Sequence, residues 1–285
     1  MTRGRVGGAL VAMLSTAACG EPQLPAGWTT EESMAFQREH DAAIGAQSSP
    51  LSAIASHYVS PGDSLTLGVV DGTLVTDTGG EGPTLRLEVT DAGARCLTGC
   101  GPEPLALTER KTLSLGRFIL ETSPQSGTLR VVAHDPKAPA RVAYKGVPWF
   151  SADASFIVPA RFEPDPAGAS VELSTTRGLT KAFERAGVFE AKVQGKPIRL
   201  VGYGSGEPGQ PLLVPLTDET SGTDSYPVGR YLQVVVPSSG PAVLDFNRLT
   251  NPWCAYSEHY NCPVPPADNA VPVALEGGEK IFGPH

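Results

Sequence analysis

From Ser64 onward, apolar residues recur at every second position in short runs, each cut off by Gly, Pro, Asp or Ser. Leu65 and Leu67 alternate, as do Leu85, Leu87 and Val89, and later Phe156, Val158, Ala160 and Phe162. A period of two turns one face of an extended strand to a core and the other to water. The turns that such strands need are supplied by 32 glycines and 27 prolines in 285 residues, the residues that permit or preset turn conformations. With 18% charged and 40% apolar residues, the composition is that of a folded chain and not of a disordered one. The chain is therefore expected to be mainly β, built as antiparallel β-sandwich or partly open barrel units.

Further strands are expected at 112–115, 117–121, 128–133, 188–193, 198–201, 212–216 and 231–236, with Val243 and Leu244 before Asp245 and a last alternating run of Val271, Val273 and Leu275. One helix precedes them. Thr29-Thr30-Glu31-Glu32 has the form of a capping box with Thr29 as N-cap, Phe36, Ala43 and Ile44 follow at helical spacing, and Gly45 is a natural stop. A second helical turn is expected around Leu51, Ile54 and Ala55. The expected organisation is a leader at 1–18, a tether at 19–28, a helical segment at 29–57, an N-terminal β unit at 58–147 and a C-terminal β domain at 148–285.

The leader carries Arg3 and Arg5 with no acid, an apolar run from Val6 to Leu14, and small residues before Cys19. That is the pattern of a secretory signal, with an apolar run shorter than the roughly 20 residues that span a bilayer. Thr16-Ala17-Ala18-Cys19 resembles the bacterial lipobox, in which the cysteine receives diacylglycerol, with Thr16 in place of the commoner leucine. Cys19 is thus the expected lipidation site, and the expected protein is exported and anchored to the cell envelope, at the periplasmic face, the outer membrane or the cell surface. Gly20 after the cysteine, by resemblance to the sorting pattern of Gram-negative lipoproteins, disfavours inner-membrane retention. The formal net charge of -8 becomes more negative once Arg3 and Arg5 leave, which argues against nucleic acid as a partner. Without Cys19 the other cysteines form two local pairs, Cys96 with Cys100 and Cys254 with Cys262. Disulfides are the expectation in an oxidising compartment, with free thiols, a metal site and crossed pairing as alternatives.

The densest polar chemistry lies between Leu216 and Asn269. Asp218-Glu219-Thr220-Ser221-Gly222 is followed by Gly229-Arg230-Tyr231-Leu232, Leu244-Asp245-Phe246-Asn247-Arg248, Asn251-Pro252-Trp253-Cys254-Ala255-Tyr256, Cys262-Pro263-Val264-Pro265-Pro266 and finally Gly278-Glu279-Lys280. These runs resemble domain of unknown function (DUF) family 1684, whose members show D-x-T-x-G, G-R-Y-L, L-D-F-N-R, N-P-x-C-A-Y, C-P-x-P-P and a terminal G-E-K. Asp268 replaces the family's usual Glu before the closing asparagine. The resemblance marks where function resides and implies no chemistry.

Arginines and carboxylates on adjacent strand ends make either a buried ion-pair network or an anion-binding fork. A small polar or anionic ligand is the expected partner of Asp218, Thr220, Tyr226, Arg230, Asp245, Asn247, Arg248 and Asn251. The rivals are an envelope hydrolase using the same cluster and a structural component in which the cluster only braces a loop. No cofactor fingerprint is present. Cys254, His259 and Cys262 have two of zinc's preferred ligand types but not the spacing of a structural zinc site, and a disulfide stiffened by the prolines after Cys262 is the stronger expectation.

Overall fold

In a computed structural model, residues 22–283 are described except 78–81, 102–103, 126 and 167–168. The expected leader and Cys19 lie outside the described residues. No helix among the described residues is long and apolar enough to cross a membrane.

Helix α1 (Thr30–Ile44) begins as its sequence demands. The Thr29 side chain accepts from the Glu32 backbone N–H at 3.4 Å, and Gly45 ends the helix. The helical turn expected near Leu51 is only three residues long, Pro50–Ser52. Ile54 and Ala55 belong instead to strand β1 (Ala53–Val59), because Ala53 to Val59 pair antiparallel with Leu129 to His134. The helical segment therefore stops short of 57, and the β unit starts earlier than its expected boundary.

The N-terminal unit is a sandwich. Beyond β1 its strands are β2 (Ser64–Val70), β3 (Thr73–Thr76), β4 (Thr84–Thr90), β5 (Gly93–Thr98), β6 (Leu105–Ala106), β7 (Lys111–Leu115), β8 (Phe118–Gln125) and β9 (Thr128–His134). One sheet runs β1-β9-β8-β7 and the other β3-β2-β4-β5-β6. The alternating leucines and valines meet between them: Leu65, Leu67, Leu85, Leu87, Leu113, Leu115, Leu120, Leu129 and Val131 form one buried cluster. Each such side chain contributes roughly 1.5–3 kcal/mol by leaving water. Cys96 and Cys100 are joined by the expected disulfide.

The C-terminal unit curls into a nearly closed, barrel-like sheet. Its strands are β10 (Ile157–Pro164), β11 (Ser170–Ser174), β12 (Thr180–Val193), β13 (Lys196–Tyr203), β14 (Pro211–Asp218), β15 (Arg230–Val235), β16 (Ala242–Asp245) and β17 (Ala270–Val271). The order is β15-β14-β13-β12-β10-β16, with β11 on β12 and β17 on β14. Among these named strands every pairing is antiparallel except β14 with β17. The last expected run is a strand only at Ala270–Val271, although Val273 and Leu275 are buried in the same core as Leu200, Leu212 and Leu232.

Helix α1 docks on the barrel and not on the sandwich that follows it in sequence. Ser33 and Gln37 are buried against Asp245 and Asn247, so the first helix among the described residues covers the end of the C-terminal sheet.

Candidate functional site

The expected ligand residues do not converge on one point. They divide into groups gripped by different parts of the chain.

The first group joins β14 to β15. Leu216 pairs with Arg230 in the ladder, which puts Asp218, at the end of β14, across from the arginine. Gly229 brings the chain there at φ +109, and a Cβ on it would lie 2.5 Å from the Leu216 carbonyl oxygen, so only glycine fits. Arg230 is fully buried. Its Nη2 donates to Asp218 Oδ2 and to the Leu275 carbonyl, both at 2.8 Å. Its Nη1 donates to the carbonyls of Gly277 at 2.5 Å and Glu279 at 3.0 Å, while Nε is buried without a hydrogen bond. Burial pushes the guanidinium below its ordinary range, opposed by the Asp218 charge. The other oxygen of Asp218 accepts from the Thr220 hydroxyl at 2.6 Å, the Thr220 N–H at 2.8 Å and the Leu275 N–H at 3.2 Å. The side chain of Asp218 thus holds both the turn after β14 and the returning C-terminal segment.

The second group closes β16 onto α1. Asp245 Oδ1 accepts from the N–H and the side-chain amide of Asn247 at 3.1 and 3.0 Å. Oδ2 accepts from the Ser33 hydroxyl at 2.7 Å and pairs with Arg248 Nε at 2.9 Å. Asn247 also exchanges two hydrogen bonds with the Asp153 backbone, both at 2.9 Å, and its carbonyl accepts from Gln37 at 3.0 Å. Arg248 is partly exposed and lies against Trp28 and Phe36, 4.9 and 5.7 Å from their ring centroids. The two arginines therefore serve different carboxylates, Arg230 with Asp218 and Arg248 with Asp245.

The third group centres on Glu279, which is fully buried. Its Oε2 accepts from the Tyr256 hydroxyl at 2.7 Å and from the Asn251 N–H, and its Oε1 lies 2.9 Å from His40 Nε2 on α1. Burial, reinforced by the Glu279 charge, pushes the Tyr256 hydroxyl far above its usual range. The Asn251 amide donates to the Lys280 carbonyl at 2.9 Å. Gly278, at φ +78, passes so close to the preceding loop that a Cβ on it would collide with the Leu249 carbonyl oxygen. The backbone on either side bonds to 148–150: Phe150 N–H to Gly278, and Lys280 N–H to Pro148, at 2.9 and 2.8 Å. The 277–280 segment is a wedge held from every side.

Sequence reasoning missed Glu279, His40, Ser33, Gln37 and Asn269. Glu279 stands in the Gly278-Glu279-Lys280 run, but a lone carboxylate in a terminal segment has no pattern that announces burial. Asn269 repairs a gap. β13 and β14 share only the Tyr203–Leu213 pair, and Pro215 has no N–H with which to extend the ladder. The Asn269 amide fills the space, donating to the carbonyls of Val201 and Pro215 at 3.0 and 2.8 Å and accepting from the Val201 N–H at 2.7 Å.

Cys254 and Cys262, expected as a bridge, stand unbridged in this structure. The Cys254 N–H donates to Cys262 Sγ at 3.3 Å, and the Tyr226 hydroxyl reaches Cys254 Sγ at 3.9 Å. The Tyr226 hydroxyl thus meets a thiol. The described residues contain no group of three or more His, Cys, Asp or Glu placed to hold a metal ion.

Residues 142–280 match the family described as "Protein of unknown function (DUF1684)". The span begins just after the sandwich and ends on the Gly278-Glu279-Lys280 run. A solution NMR structure of an uncharacterized protein from Haloarcula marismortui is 30% identical, over 51% of this chain and 82% of that one, with a TM-score of 0.43. No curated protein matches the chain.

Proposed function

We propose that this chain, which belongs through residues 142–280 to the DUF1684 family of proteins of unknown function, is an exported lipoprotein whose signature residues are architectural. Lipid on Cys19 holds it to the cell envelope, and the polar residues of the C-terminal domain brace the barrel end instead of binding a ligand. The observation that carries the second half is Arg230. It is fully buried, and its two terminal nitrogens are engaged by one carboxylate and three main-chain carbonyls of its own chain. An anion-binding fork keeps such donors free for the ligand. Asp218, Asp245, Asn247 and Glu279 are likewise buried and bonded within the chain. The anchor rests on the leader and on Thr16-Ala17-Ala18-Cys19, and two acyl chains suffice for stable attachment.

Two experiments test the two halves. Cys19→Ser should move the protein from the membrane fraction to the soluble one; retention in the membrane overturns the anchor. Thermal-shift screening of the Cys19→Ser protein against phosphate, sulfate, small carboxylates and sugars should show no stabilisation. A ligand at a hundred times its Kd stabilises by about 2.7 kcal/mol, so a reproducible shift that Arg248→Ala abolishes would restore a binding site at the barrel end.

A further inference from the structure

The thiols of Cys254 and Cys262 are unlike in their surroundings. Cys254 is partly exposed and Cys262 is buried. Cys262 Sγ is held against Cys254 by the Cys254 N–H, and the Tyr226 hydroxyl points at Cys254 Sγ. The loop between them is clamped toward its Cys262 end. The Cys262 N–H donates to the Thr176 hydroxyl at 3.2 Å, and Asn261 accepts from the Arg177 N–H at 3.0 Å. Tyr260 packs with Val132 of β9 beneath Arg130, whose guanidinium also donates to the His259 carbonyl at 3.1 Å. The loop is a part of the barrel that touches the sandwich, so two sulfurs meet where the two units meet.

We propose that Cys254 is a thiol-modification site for low-molecular-weight disulfides and that Cys262 is its resolving thiol. Hydrogen bonding from the Cys262 thiol, together with the Tyr226 and Thr176 hydroxyls, holds the Cys254 thiol down at about 7 against burial. The hydrogen bond to Cys254, together with burial, pushes Cys262 well above the ordinary thiol range. The thiolate is the nucleophile in disulfide exchange, so the more exposed of the two cysteines is also the one ready to attack at neutral pH. In the first step Cys254 Sγ, having lost its proton to solvent, bonds to one sulfur of the small disulfide and the other sulfur leaves as a thiolate. In the second, the Cys262 thiol gives up its proton and attacks Cys254 Sγ, expelling the second small thiolate. The two cysteines are oxidised to one disulfide, and the small disulfide is reduced to two thiols once these take up the released protons. The bridge closes across the clamp that joins barrel to sandwich. The role is independent of the anchor and of the brace.

The test uses the full chain carrying Cys19→Ser, alone and with Cys254→Ser or Cys262→Ser, reduced at the 254–262 pair and exposed to oxidised glutathione at pH 7. Site-resolved mass spectrometry reads the products. The parent should lose two hydrogens between Cys254 and Cys262 and retain no glutathione. Cys262→Ser should trap glutathione on Cys254, and Cys254→Ser should react at Cys262 at least tenfold more slowly. The parent's initial rate should rise with pH and be half-maximal near 7. Comparable modification of Cys262 in Cys254→Ser overturns the assignment, as does a lasting adduct on Cys254 in the parent. So does a pair that arrives bridged and cannot be reopened by dithiothreitol while the protein stays folded.

Discussion

The sandwich closes on Leu67, Leu85, Leu87, Leu120 and Leu129, whereas the barrel end closes on Asp218, Arg230, Asp245, Asn247 and Glu279, which are buried as well. Apolar packing is non-directional, and a core of leucines and valines accepts a swap of similar volume at a cost below about 1.5 kcal/mol. A buried polar network is directional: each member removed strands its partners without water. The barrel interior is itself apolar, with Leu200, Leu212, Val214, Leu232 and Phe189 in its core. The polar groups are confined to the end, where α1, the loop after β16 and the 277–280 segment arrive from distant parts of the sequence. They fix the position of segments that make few ladder hydrogen bonds.

Substitutions in the two regions should therefore differ in kind. The largest effect is expected for Arg230→Ala, which leaves Asp218 and three carbonyls buried without their donor and should cost roughly 3–5 kcal/mol in urea denaturation. Arg230→Lys should recover little of it, since an ammonium cannot reproduce the planar fork. Leu87→Ala in the sandwich should cost somewhat less, roughly 2–5 kcal/mol, but Leu87→Met should be nearly neutral. That asymmetry between the conservative variants is the sharpest contrast between the regions; an Arg230→Lys variant as stable as the parent would erase it. Ser33→Ala removes one hydrogen bond to a buried carboxylate and should cost about 1.5–3 kcal/mol, with amide exchange accelerated in α1 and not in the sandwich.

The smallest effect separates the regions by pH. Burial, as the leading cause, lowers the pKa of His134 and His57 in the sandwich and of His259 on the loop against it. At His134 the nearby Glu121 opposes this, and Arg130 and His259 add to it. A histidine whose folded pKa lies below its unfolded value of 6.5 favours folding above that value. Sandwich stability should thus be constant above about pH 6.5 and decline as the pH falls below it, and His134→Gln should flatten part of the decline. A stability that rises on acidification from pH 7 to 5 would contradict this.

The sandwich was legible because its signals are local. The strands at 112–115, 117–121 and 128–133 follow from alternation and turn residues, and the Thr29 cap follows from four consecutive residues. Ile54 and Ala55 misled because Leu51, Ile54 and Ala55 are spaced like a helical face; pairing with β9 overrides that spacing. At the barrel end, alternation located the strand ends that carry Asp218, Arg230 and Asp245. It could not say that Arg230 meets main-chain carbonyls near Gly278, or that α1 crosses back to Asp245 and Glu279. Those contacts join residues far apart in the chain, and a single serine or histidine on a helix carries no mark of its partner. The cysteines show the same limit: the proximity of Cys254 to Cys262 was readable from spacing, but the unlike surroundings of the two sulfurs were not.

A double-mutant cycle on Asp218 and Arg230, read by urea denaturation of the full chain carrying Cys19→Ser, tests the bracing role most directly. Each single alanine variant should lose several kcal/mol, and the double variant should lose less than the two together, with a coupling energy of roughly 1–3 kcal/mol. Single variants that keep the parent's midpoint, or losses that simply add, would contradict a structural role for the pair.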